Sequence, residues 1–157
     1  MASPVAAGAG ALIYEYFTQV LGKEAISPAL MKAVLVSGAR NLNSFAYTKP
    51  SFLGAPAAVH QGWGRGDVVR SVRGIQTQAS DRIIFLDQDQ TSPLITDQTW
   101  SYPITVGQDE GGLGIVLSWT DLPGTPGSGP VLVNDLDEIV RERETATAAG
   151  VDLEMIH

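Results

Sequence analysis

The stretch Met1-Ala2-Ser3-Pro4-Val5-Ala6-Ala7-Gly8 opens a run in which Ala2, Ala6, Ala9 and Ile13 recur four, three and four positions apart. That spacing places side chains on one face of a helix. Ser3 can cap it and Pro4 can occupy its first turn, where a missing N–H costs nothing. The pattern predicts a helix over residues 3–20, with Gly22 as its stop. Side chains this small let another backbone approach closely, so the helix is expected to be central rather than on the surface. Leu12, Tyr16 and Val20 supply a second apolar stripe.

Working outward, Ser27-Pro28 repeats the cap-then-proline signal and predicts a second helix through about Ser37. Leu30, Val34 and Gly38 define one face, and Ala33, Leu35 and Val36 leave little of the circumference polar. Two such helices cannot cover one another, so they call for a sheet that residues 1–70 do not supply. Residues 41–60, with Pro50, Gly54 and Pro56, read as loop. Gly62-Trp63-Gly64 then places a large ring between residues without side chains, a pattern expected to lock the loop against a core. Asp67 is positioned to cap a short helix over residues 68–72. His60 reads as a loop residue, and the other histidine, His157, is terminal.

Charge divides the chain. Residues 1–70 hold six Lys/Arg against three Asp/Glu, while residues 71–157 hold four against fourteen. The change marks an expected boundary near Gly74, giving domains over 1–74 and 75–157. An acidic second half disfavours a nucleic-acid backbone as partner and is compatible with calcium, a basic partner or simple solubility. With 157 residues and 44% hydrophobic content, one ordinary core or two small dependent units can form. The chain has no cysteine, which excludes disulfides and thiolate chemistry. The apolar stretch over 5–13 lacks the basic flank of an export signal. Glu15, Gln19 and Lys23 interrupt it before it reaches membrane-spanning length, so no membrane association is expected.

The second half changes period. Arg82-Ile83-Ile84-Phe85-Leu86, residues 100–106 and Gly114-Ile115-Val116-Leu117-Ser118-Trp119 are strand candidates, with Gly111-Gly112 turning the chain between the last two. Residues 123–130 form a Gly/Pro-rich loop before a short strand candidate, Val131-Leu132-Val133. Four to six strands can be counted, fewer than a complete two-sheet sandwich needs. Asp121, Asn134, Asp135 and Asp137 supply oxygen donors around that loop and are the candidate ligands for a structural Ca2+, which takes about six to eight. They lack the continuous spacing of an EF-hand, and solvated loop carboxylates are the competing reading.

The ordered set of motifs resembles the subtilisin-like serine proteases. In that family the nucleophile stands at the start of a buried helix in the pattern Gly-Thr-Ser-Met-Ala-x-Pro, and this chain matches from Met1 onward, with Val5 where many members have histidine. Ser27-Pro28-Ala29-Leu30-Met31-Lys32-Ala33 is similar to the helix that follows, and Gln61-Gly62-Trp63-Gly64-Arg65 to the closing segment of the catalytic domain. Trp119-Thr120-Asp121-Leu122-Pro123-Gly124 and Leu132-Val133-Asn134-Asp135-Leu136-Asp137 resemble the jelly-roll-like module appended to large bacterial members. Further strands and an Asn-rich acidic segment of that module are not found.

The resemblance implies an α+β chain: the C-terminal helices of a subtilisin-like α/β domain followed by a partial antiparallel β-sandwich. It also implies a parent endopeptidase acting on polypeptide substrates through Ser-His-Asp chemistry, secreted in many relatives, whose missing N-terminal protease segment is this chain's partner. No catalytic residue is expected within these 157 residues, and the isolated chain is expected to be inactive. Ser3 lies three positions past the expected nucleophile, displaced by nearly a full helical turn of about 5.4 Å along the axis, so it cannot replace it. A noncatalytic calcium-binding or protein-interaction module is the alternative function.

Overall fold

The computed structural model describes residues 2–40, 42, 62–72, 83–88, 91–105, 114–127, 129, 132–144 and 149–156. The loop reading over 41–60 (apart from residue 42), His60, Gln61, Gly74, the Gly111-Gly112 turn, Val131 and His157 fall outside them. Two compact units are formed, Met1–Asp87 and Gln88–His157. This packing division falls after Asp87, past the change of charge at Gly74.

The first unit is helical. Helix α1 spans Ala2–Glu15 and widens into a π turn over Tyr16–Val20. Thr18 assists, its hydroxyl donating back to the Tyr14 carbonyl at 3.0 Å, a bond that competes with the regular ladder. The chain leaves through Gly22, whose φ of +66° is open to glycine at little cost. Lys23 N–H then donates to the Phe17 carbonyl at 3.0 Å. Helix α2 spans Pro28–Ser37 and opens as expected: Ser27 is extended, its hydroxyl accepts from Leu30 N–H at 2.9 Å, and Pro28 fills the first helical position. Helix α3 spans Val68–Val72.

These helices enclose a core of Ile13, Phe17, Leu30 and Val34, with Val68, Val72, Ile83 and Phe85 packed against it. The expected α2 face is therefore the buried one. On α1, Ile13 of the first expected face is fully buried and Tyr16 of the second stripe packs against the core, but the rest of that stripe does not. Leu12 and Val20 are 57% and 66% exposed, because Ile13 and Phe17 turn inward instead. The expectation that α1 is central is also corrected: Ala2 to Gly8 are exposed, Val5 to 72%. Among the described residues the second half of the helix is the part that is covered, and a Cβ added at Gly10 would lie 3.9 Å from the Met31 sulfur.

The second unit holds one antiparallel sheet of order β1-β3-β2, with β1 over Thr99–Thr105, β2 over Asp137–Glu144 and β3 over Ala149–Ile156. Trp100 pairs with Met155, Tyr102 with Leu153, and Glu138 with Met155 from the other side. Pro103 sits on an edge strand, where a missing N–H is tolerated. Trp100 and Tyr102 share one face and stack at 5.7 Å. Helices plus a small antiparallel sheet give the α+β class. Among the described residues, the candidate over 100–106 forms a strand through Thr105, while residues 83–86, 114–119 and 132–133 take no strand pairing. No helix among the described residues is long and apolar enough to cross a membrane.

Candidate functional site

Asp121 is the most heavily engaged of the four candidate calcium ligands. Its Oδ1 accepts from Leu122 N–H at 2.9 Å, Asn134 N–H at 3.0 Å and the Asn134 side-chain amide at 2.8 Å, while Oδ2 accepts from Val133 N–H at 2.9 Å. A carboxylate offers about four acceptor positions, so these donors nearly saturate it. The Val133 N–H is the largest cause holding the Asp121 carboxyl below its usual range, aided by the Asn134 side-chain amide and by the backbone N–H groups of Asn134 and Leu122. The arrangement is a loop carboxylate that takes its hydrogen bonds from N–H groups on both sides of residues 122–133. Asp121 and Asn134 are thus brought together as a clamp across residues 122–133. Asp135 and Asp137 lie on the run into β2, with Asp137 already paired to Ile156 across the sheet. Among the described residues no group of three or more His, Asp or Glu side chains could hold a metal ion.

The helix that carries the protease-like motif places its first turn in solvent. Ser3 and Pro4 lie inside α1, which already includes Ala2, so Ser3 is not outside the helix as a cap. His60 and His157, the chain's two histidines, fall outside the described residues, so no serine–histidine pair can be traced.

Around Trp63 the geometry is well defined. Gly62 and Gly64 take φ of +58° and +101°, and the turn they make leaves the Trp63 ring 74% exposed. The packing role expected for Trp63 is therefore corrected: the glycines serve the turn and the ring finds no core. Beyond it Arg40 and Arg65 exchange backbone hydrogen bonds, both 2.8 Å. Asp67 caps α3 as expected, its Oδ1 accepting from Arg70 N–H at 3.0 Å, while Oδ2 accepts from Arg40 Nε at 2.6 Å. The Arg70 N–H, then Arg40, hold the Asp67 carboxyl below its usual range. At the back of this turn Ser71 is buried and donates to the Asp67 carbonyl at 3.0 Å.

One constellation was not foreseen. Asp87 reaches the start of α2, where its Oδ2 accepts from Ser27 N–H at 2.8 Å and its Oδ1 from the Ser27 hydroxyl at 2.6 Å. A partner 60 positions away leaves no local signal beyond the cap motif itself.

Comparisons of the chain with protein-family models, curated proteins and solved structures return no match.

Proposed function

We propose that the chain is the C-terminal portion of a subtilisin-like serine endopeptidase, followed by an accessory β module of sandwich type, and that it has no hydrolytic activity by itself. One observation carries the reading beyond the motifs. The helix bearing Met1-Ala2-Ser3-Pro4 and the helix that follows Gly62-Trp63-Gly64 contribute to a single core, Ile13 and Phe17 from the first side, Val68 and Val72 from the second. Two segments that resemble separate parts of one catalytic domain, the serine helix and the closing segment, thus share a core. The exposed first two turns of α1 are what a helix built for a larger core would show when part of that core is missing.

In the parent enzyme, a serine preceding α1 would attack the peptide carbonyl, and the N–H groups at the helix start would face the developing oxyanion. This chain's part is to hold that helix in place. The test is the coding sequence immediately before Met1 together with an assay of the purified chain on an unfolded protein substrate. The expected result is Gly-Thr-Ser preceding Met1 and no hydrolysis. Hydrolysis by the chain alone that disappears in Ser3→Ala, or an unrelated upstream sequence, would overturn the proposal.

A further inference from the structure

Residues 83–87 lie against the helical core of the first unit and, among the described residues, join no ladder. Among the described residues no backbone-to-backbone hydrogen bond ties them to a neighbour. Their side chains alternate: Ile83 and Phe85 pack against the core, while Ile84 and Leu86 are 54% and 46% exposed. Phe85 meets Phe17 edge-on, with ring centroids 4.8 Å apart, and Lys23 Nζ lies 5.6 Å from the Phe85 centroid on the outside. Phe85, Leu86 and Asp87 also form one wall of an open concavity whose other wall is Lys23, Ile26 and Leu30. The segment ends in the two Asp87–Ser27 hydrogen bonds at 2.8 and 2.6 Å.

We propose that residues 83–87 are a latched strap: a piece of chain that opens from the helical core as a unit, with Asp87 on Ser27 as its catch. A strand inside a sheet is held by a hydrogen bond at every second residue. Among the described residues this segment is held by the Phe85 and Ile83 packing and by the bonds at its end rather than by a ladder, so it belongs to the low-stability part of the unit. Ser27 stays engaged when the strap leaves, because its hydroxyl still accepts from Leu30 N–H and keeps α2 capped. Opening therefore uncovers Phe17 and widens the concavity beside Ile26 and Leu30 without unwinding a helix.

The experiment is limited chymotrypsin digestion of the full chain, with cleavage after Phe85 and after Phe17 followed separately by mass spectrometry in the wild type, Asp87→Ala and Asp87→Asn. Losing the hydrogen bonds of a charged acceptor changes a local opening equilibrium by about tenfold or more. Asp87→Ala is expected to raise the rate after Phe85 by about that factor while the rate after Phe17 stays as in the wild type. Asp87→Asn, which keeps one acceptor oxygen, is expected to fall between. Rates that rise together at Phe85 and Phe17 in both variants would show that the whole unit unfolds, and unchanged rates would show that Asp87 is no catch; either overturns the proposal.

Discussion

Gly38 is the residue whose identity is most tightly dictated. A Cβ there would lie 2.6 Å from both the Ser71 Cα and the Ser71 backbone nitrogen, where neither α2 nor α3 can yield cheaply. Gly38→Ala is expected to cost about 1–3 kcal/mol through overpacking, read as a lower denaturant midpoint with an unchanged slope. At the centre of the same unit, Phe17→Ala removes a fully buried ring that also meets Phe85. The expected cost is about 3–5 kcal/mol, enough to unfold a small unit.

The carboxylates predict opposite pH responses. Asp67 and Asp121 are held low by N–H donors, so the stability they add is complete above the unfolded value of about 3.9 and is lost as pH falls through their lower folded values. Asp121→Ala should lower the melting temperature at pH 7, with the difference from wild type shrinking below about pH 4. Glu138 is pushed up by burial against the sheet, so its ionised form opposes folding above the folded value and the penalty vanishes in acid. Glu138→Gln should therefore raise the melting temperature at pH 7 and leave it unchanged near pH 3.

At the scale of elements, what could be read depended on whether the signal was local. Ser27-Pro28, Gly22 and Asp67 announce a cap, a stop and a cap because each acts on backbone within a few residues. The α2 face of Leu30, Val34 and Gly38 follows from spacing alone, and the 99–105 strand from alternation. Strand β2 carries no strand signal of its own, because Arg141-Glu142-Arg143-Glu144 reads as a solvated charge run. The strict alternation Val151-Asp152-Leu153-Glu154-Met155 was the available signal for β3. Once β3 forms, charged β2 becomes its edge partner, with Arg141 Nε bonded to Glu154 at 3.0 Å. Charges on one edge and Pro103 on the other are devices that discourage further strand addition. Replacing Arg141 and Arg143 by Val and Pro103 by Thr should make the chain self-associate more strongly than the wild type, measured by sedimentation at increasing concentration.

The candidate site was legible only as composition. That Asp121, Asn134, Asp135 and Asp137 carry oxygen was plain. That Asp121 spends its oxygens on N–H groups 12 and 13 positions away was not. The Trp63 reading missed for a related reason: flanking glycines show that a backbone turns, but not which way the ring then faces.

At the scale of the molecule, the described core of the first unit is small and its uncovered apolar surface large: Val5, Leu12, Val20, Trp63 and Val69 are each more than half exposed. A helical unit of this kind is marginal by itself and gains from any partner that covers those residues, since binding to the folded form stabilises it by mass action. The proposed partner is the protease segment that precedes Met1. The most direct measurement mixes the purified chain with the separately produced upstream polypeptide and follows hydrolysis of an unfolded protein substrate. The proposed function predicts activity from the mixture, from neither part alone, and none when the serine before Met1 is replaced by alanine. A mixture that stays inactive while the two parts demonstrably bind, or activity that survives that replacement, would contradict it.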